Sequence, residues 1–285
     1  MYLSKYCVKL LSLDFRFSKK FNSMKNILLL FGLFLTLISW SQENIKTKLI
    51  DTLAIEANTY IGKDNLKTDY YLSKNTLKKR NASKDYQYQN LSFGKIKNAC
   101  ITNPLQVVLF YENFNSLILL DNQLNEIQQI DGNKLETPIK IEAFGLASQN
   151  QVWLYDGFLQ KISLYNFKSN INKIISTPLT NMIKDYNSVY NYFYWITSEL
   201  DFYSISIFGK INNTGKIPEY DTIHIIDNTK IIYSKNQELY YFNTNKPFEQ
   251  KIDLNQKSFD NFFFNNGILS IFTNNQIINY KIDLP

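Results

Sequence analysis

From residue 55 onward the chain repeats one pattern: a short β-rich run, a polar turn, then another run. The runs group in fours. Residues 141–176 read IEAFGLAS, QVWLYDG, QKISLYN, INKIIS, and residues 220–254 read YDTIHIID, TKIIYSK, QELYYFN, FEQKIDL. Residues 260–283 repeat the scheme with only three runs: DNFFFNN, GILSIFTN, QIINYKID. The units recur at about 40 residues, the period of four-stranded β-propeller blades. A blade cannot bury both of its faces alone, so such units stack on their neighbours around an axis. The expectation is therefore an all-β chain of roughly six four-stranded blades, or seven if 181–216 holds more strands than its pattern marks. The short last unit needs a fourth strand from the other terminus, and residues 46–53 (KTKLIDTL) are the candidate.

The turns fit this reading. Asp121-Asn122, Asp131-Gly132-Asn133, Asp156-Gly157, Asn212-Asn213-Thr214-Gly215 and Asn265-Asn266-Gly267 are residue types that tolerate positive φ or close a turn with their side chains. Consecutive apolar residues, as in VVLFY and LILL, point to strands buried on both faces. A transmembrane barrel instead demands segments of about 10 residues that alternate apolar and polar. No helical period persists for three turns after Ser41, apart from a weak one at 44–59. Repeat-specific dipeptides of the WD and kelch kinds are absent from the sequence.

The first forty residues have a different purpose. Residues 24–41 read MKNILLLFGLFLTLISWS, with Lys25 as the positive start, 27–38 as the apolar middle and Ser39-Trp40-Ser41 as a small-x-small exit. This is a secretory signal beginning at the second methionine. Residues 1–23 then read as a mis-assigned N-terminal extension, and the mature propeller domain spans 42–285. The competing reading is an uncleaved signal acting as an anchor. No cysteine stands at the cut, which argues against a lipid-anchored form. After Ser41 no apolar run approaches the ~18–20 residues of a membrane helix, so no membrane span is expected in the mature chain.

Export changes the electrostatics. The formal net charge of +6 is concentrated in the leader, where Lys5, Lys9, Arg16, Lys19, Lys20 and Lys25 face a single acid, Asp14. Without them 25 basic residues stand against 24 acidic ones, a net charge of about +1. Such a chain exerts no long-range pull on phosphate backbones, and nucleic acid is not an expected partner.

Reactive side chains are scarce. Cys7 lies in the extension, which leaves Cys100 alone in the mature chain, unable to form an internal disulfide and expected as a small side chain packed at a strand start. His224, the only histidine, sits mid-strand in DTIHIID and is expected to be structural. One histidine and one cysteine do not make the usual zinc sets, and neither a calcium loop nor a glycine-rich phosphate loop is present. No catalytic residue, metal or cofactor is therefore assigned. Carboxylates at strand ends are the remaining catalytic material: Glu112, Asp121, Asp156, Glu199, Asp201 and Asp221. Their plain role is to cap turns. The alternative is a carbohydrate-binding or carbohydrate-active propeller, of glycosidase or lyase type, in which two of Glu112, Asp156, Glu199 and Asp201 converge on the axis. Asp51-Thr52-Leu53 and Asp221-Thr222-Ile223 also resemble the short O-glycosylation acceptor of Bacteroidota periplasmic proteins.

The densest stretch, 103–130 (NPLQVVLFYENFNSLILLDNQLNEIQQI), resembles exported propeller-like proteins of flavobacteria and other Bacteroidota, as does QNQVWLYDGFLQKISLYN further on. The resemblance runs over most of the mature chain. It implies a propeller in the cell envelope, in the periplasm or associated with the outer membrane, and it carries no catalytic residues over. Phe110, Tyr111 and Phe114 read by default as core; the alternative is that they line an aromatic binding rim with Trp153, Tyr155, Tyr192, Tyr194 and Trp195, a surface suited to protein or sugar. The expectation is a non-enzymatic interaction or scaffold protein whose partners are envelope proteins, including an outer-membrane complex. Mass spectrometry of the protein recovered from its own cells should read an N-terminus at Gln42; a chain that keeps its first 41 residues would overturn the leader.

Overall fold

Each strand pairs antiparallel with the one before it until a sheet of four is complete, and then a new sheet begins. The computed structural model describes residues 44–81, 84–255, 258–273 and 276–285. The extension and secretory signal read at 1–41 lie outside the described residues. Blade I is β2 (Thr59–Lys63), β3 (Asp69–Ser73), β4 (Thr76–Arg80) and β5 (Asp85–Tyr88). Blade II is β6 (Asn98–Asn103), β7 (Gln106–Tyr111), β8 (Ser116–Asp121) and β9 (Glu126–Asp131). Blade III is β10 (Ile141–Ala147), β11 (Gln151–Asp156), β12 (Lys161–Asn166) and β13 (Ile171–Ile174). Blade IV is β14 (Ile183–Val189), β15 (Tyr192–Thr197), β16 (Asp201–Ser206) and β17 (Ile211–Lys216). Blade V is β18 (Thr222–Ile225), β19 (Lys230–Lys235), β20 (Glu238–Asn243) and β21 (Phe248–Ile252).

Blade VI holds only β22 (Asn261–Asn265), β23 (Ile268–Thr273) and β24 (Gln276–Lys281) from the C-terminal end, and β1 (Lys48–Ala54) completes it. β1 lies antiparallel on β24, with Thr52 opposite Ile278 and Leu53 opposite Ile277. The fourth strand expected from 46–53 is thus in place, and the weak helical period at 44–59 is overridden by pairing. Blade V is held by the same segment. Ile45 forms a parallel bridge to Ile252, and its neighbours converge on Asp253: Asn44 Nδ2 donates to Oδ1 at 2.7 Å, Lys46 Nζ to Oδ2 at 3.0 Å and Thr47 Oγ1 to the carbonyl at 2.6 Å. The described fold has six blades; 181–216 is one blade, not two.

The middle strands explain the consecutive apolar residues. Val107, Leu109 and Tyr111 of β7 pack toward blade I, while Val108 and Phe110 pack toward blade III. In β8, Ile118 and Leu120 face one way and Leu117 and Leu119 the other. Period-2 alternation sends successive side chains to opposite faces, and here both faces are core. Each such side chain contributes about 1.5–3 kcal/mol by leaving water, so the inter-blade layers carry the stability.

Elsewhere the pattern misleads. Residues 212–215, read as a turn, belong to β17, and β16 ends at Ser206, leaving Phe208 in the following turn. β4, β5, β6, β14 and β17 lack the apolar signature as well. β5 and β17 are the outermost strands of their blades and have little to bury. β4 hides Lys79, whose ammonium donates to the carbonyls of Pro104 and Asn122 in blade II at 3.3 and 2.8 Å. Among the described residues no helix is long and apolar enough to cross a membrane.

The innermost strands of blades III and IV approach closely. A β-carbon on Gly145 of β10 would lie 1.8 Å from Ser188 Oγ and 2.6 Å from Ser188 Cβ. The hydroxyl can rotate away, but the Cβ cannot. Gly145→Ala should lower unfolding stability by about 2 kcal/mol, in the range of overpacked cores, and Ser188→Gly in the same chain should recover most of that loss. Denaturant titration of the two single variants and the double variant checks this; additive losses would disprove the contact.

Candidate functional site

Six inner strands leave an axial channel of about 650 Å³. Its wall is built from the first strand of each blade except that blade III contributes little beyond Phe144. Tyr186, His224 and Phe263 lie along it, with Cys100, Asn98 and Thr102 on blade II. Consecutive residues of these strands line it because the open edge of each inner strand faces the axis, with its side chains leaving to either side. Asparagines tie the wall together: Asn187 Nδ2 donates to Ile225 O at 2.7 Å and Asn261 Nδ2 to Tyr60 O at 3.1 Å, each joining one blade to the next. Thr102 Oγ1 reaches Ser188 O at 3.3 Å, from blade II to blade IV.

Cys100 and His224 both lie in the channel wall. Cys100 is half-buried in β6, with Sγ 3.3 Å from Thr102 Oγ1 and accepting the Leu146 N–H at 3.4 Å. His224 meets the Phe263 ring edge-on, with centroids 4.7 Å apart. Burial pushes its imidazole down to about 4, opposed by a hydrogen bond to the Phe264 backbone. It is neutral at pH 7, held between aromatic and backbone groups.

At the Lys63 end of the channel lies a buried polar knot. Lys63 Nζ pairs with Asp69 Oδ2 at 2.6 Å, and the Tyr60 hydroxyl donates to Asp69 Oδ1 at 2.9 Å. Burial raises the Asp69 carboxyl above its ordinary range, while the Lys63 ammonium pulls it back. Burial, reinforced by the Asp69 charge, raises the Tyr60 phenol well above its usual value. The lysine is thus already partnered by an acid of its own blade.

The four carboxylates considered as axial acids do not line the channel, and this corrects that expectation. Glu112 is exposed and pairs with Lys97 at 3.2 Å. Asp156 is buried, and its Oδ1 accepts the N–H groups of Lys140 at 3.1 Å and Phe158 at 2.9 Å. Glu199 is exposed, and its carbonyl accepts Lys216 Nζ at 2.8 Å. Asp201 pairs with the same lysine at 3.3 Å. All four lie around the hairpin between the second and third strands of a blade, one strand removed from the axis. Asp121 likewise caps its own turn, accepting the Gln123 and Asn125 N–H groups at 2.8 Å each. Among the described residues no group of three or more His, Cys, Asp or Glu could hold a metal ion.

The aromatic set divides in the same way. Trp153 is fully buried, with Nε1 donating to Val189 O at 3.2 Å. Tyr155, Tyr194 and Trp195 are buried too, Trp195 stacking on Tyr203 at 5.3 Å. These four belong to the inter-blade core and are out of a partner's reach. Only Phe114 and Tyr192 are exposed. Phe114 follows the second strand of blade II and Tyr192 opens the second strand of blade IV, so they lie at opposite ends of their blades and share no rim.

Large apolar side chains are exposed at several places around the ring, among them Leu66, Leu91 and Leu105, and also over blades III and IV. Phe158 and Leu159 sit in the turn after β11, Ile171 and Ile174 on β13, Met182 before β14, and Phe208 in the turn after β16; Phe208 is 89% exposed. The sequence signal for this surface is a turn with phenylalanine where a polar residue is usual, beside a stretch from Gly157 to Lys184 that holds four lysines and no acid.

No protein-family model matches the sequence, and no curated protein matches it. Solved structures do. A streptogramin B lyase aligns with a TM-score of 0.55 at 10% identity over 86% of this chain and 100% of that one. YCF48 bound to a D1 peptide aligns with a TM-score of 0.53 at 10% identity over 85% and 100%. A chain of a mitotic checkpoint complex aligns with a TM-score of 0.53 at 8% identity over 85% and 94%. At such identities the likeness is one of fold: the chain is a β-propeller, and an enzyme and protein-binding propellers stand beside it alike.

The channel histidine supplies a test. A folded value near 4 lies below the unfolded value of about 6.5, so between these pH values the unfolded chain takes up a proton that the folded one refuses. The histidine's contribution to stability is complete above pH 6.5 and falls as pH drops toward 4, by about 2 kcal/mol once its open edge toward the channel is allowed for. His224→Gln should flatten the stability profile of the parent over that window, measured by urea unfolding from pH 7 to pH 4. Parallel profiles would show the imidazole is not buried as described.

Proposed function

We propose that the chain is an exported, non-catalytic propeller that serves as a protein-interaction module of the bacterial cell envelope, in the periplasm or at the outer membrane. The observation that carries the reading is the apolar surface over blades III and IV. Large apolar side chains scattered singly on a surface need no explanation, but a group of them marks an interaction site. Phe158, Leu159, Ile171, Ile174, Met182 and Phe208 all fall within one stretch of about 50 residues. YCF48, solved with a D1 peptide, and the propeller-like chain of a mitotic checkpoint complex support it by analogy, as discs of similar outline that hold proteins. The leader at 24–41 supports export, and the mature charge of about +1 suits protein rather than nucleic acid.

A photo-crosslinking amino acid at position 208 in the native cells should give a discrete adduct with an envelope protein. The same group at position 87, on the exposed outer strand of blade I, should give none. Equal labelling at both positions, or an adduct-free monomer in the cytosol, would reject the reading.

A further inference from the structure

The outer strand of each blade is the edge of a sheet, and edges left open to water normally carry charge or a bulge. β5 carries Asp85, β9 carries Glu126 and Asp131, and the pairing of β16 with β17 is broken by a bulge. The edge of β21 is covered at one point by a single-residue parallel bridge, in which the Ile45 N–H donates to Lys251 O and the Asp253 N–H to Ile45 O, each at 2.9 Å.

β13 has no carboxylate and no bulge, and its one charge is Lys173. It is paired on one side only, to β12, and two of its four residues are exposed isoleucines, Ile171 and Ile174. The ladder fixes which backbone groups are free. The Ile175 N–H donates to Ile162 O at 3.0 Å, so Lys173 opposite Leu164 and Ile171 opposite Asn166 also turn their backbone groups toward β12. By alternation, the N–H and C=O of Asn172 and Ile174 point away from the blade. Near the end of this edge stands the 89% exposed Phe208, since a β-carbon on the adjoining Gly209 would lie 2.6 Å from the O of Ile175, one residue past β13. The charge here is of one sign. Lys168, Lys173 and Lys210 are exposed, and among the described residues none of the three is in an ion pair.

We infer that the edge of β13 accepts an extended segment of a partner protein as a fifth strand of blade III, and that this segment alternates apolar and acidic residues. The inference deepens the interaction reading above and rests on it. Backbone groups of Asn172 and Ile174 provide the ladder, Ile171, Ile174 and Phe208 the apolar contacts, and the three lysines the selection for acid. A second copy of this chain would set lysine against lysine across the new pair, which like charge disfavours.

The test uses purified protein and a fluorescent eight-residue peptide of alternating valine and glutamate. Binding should slow hydrogen exchange at the Asn172 and Ile174 amides, and a valine–lysine peptide should not bind. Ile174→Pro removes an outward N–H that the blade does not use, so it should weaken binding at least tenfold with unchanged circular dichroism. Lys173→Glu, which leaves the backbone intact, should weaken it several-fold and serves if the proline variant fails to fold. Unchanged binding in both variants, protection at other strands only, dimerisation through β13, or uptake by anionic vesicles with no peptide binding would each overturn the inference. Crosslinks at position 208 in cells without peptide protection on β13 would sink strand addition alone; neither result would sink the interaction reading with it.

Discussion

A four-stranded blade with two apolar faces is stable only between two others. Every other feature of this molecule follows from that constraint. β7 and β8 are apolar at consecutive positions because each side of blade II is covered, by blade I and by blade III. A row of such sheets has two unpaid ends unless it bends into a ring, and the ring must then be locked. The lock is the segment from Asn44 to Ala54, which bridges blade V through Ile45 and completes blade VI as β1. Covalent connectivity alone does not join blade VI to blade I. The first and last parts of the chain are sewn into one sheet, so opening the ring costs a whole ladder rather than a surface contact.

The same constraint decides where chemistry can reside. Blade middles are consumed by packing, and the tryptophans Trp153 and Trp195 go there because inter-blade layers need large side chains. The axis is narrow and partly filled by Tyr186, His224 and Phe263, with Thr102 and Ser188 joined across one side. Hairpin acids satisfy backbone donors or surface lysines. What is left over for recognition is the outer edge of the ring, where strands have one free side. There the blades differ: β13 of blade III carries two exposed isoleucines and a lysine, where β9 carries carboxylates and β17 a bulge.

The fold was legible in the sequence to the extent that strands were doubly buried. VVLFY, LILL, QVWLY and TKIIY announce themselves because both alternating sets are apolar. β17 (INNTGK) does not, since an outermost strand buries almost nothing and its Asn and Gly residues imitate a turn. β4 (TLKKR) does not either, because Lys79 is buried only by virtue of two carbonyls supplied by blade II. The site was less legible for a related reason. Exposure of an aromatic is set by what packs on it, so Trp153 and Phe208 look alike in the sequence and are opposites in space.

Local sequence determined the unit of four strands, its period of about 40 residues, the missing strand at the C-terminal end and its donor near residue 50, because period and turn chemistry act over short stretches of chain. It also determined the poverty in histidine and cysteine, which no folding can change. Only the tertiary structure decided the number of blades, the placement of Glu112, Asp156, Glu199 and Asp201 off the axis, the burial of four of the six candidate aromatics, and the emergence of an open, lysine-flanked edge at β13. Those outcomes depend on which surfaces the ring brings together, and the ring forms between residues more than 200 positions apart, as between Asn44 and Asp253.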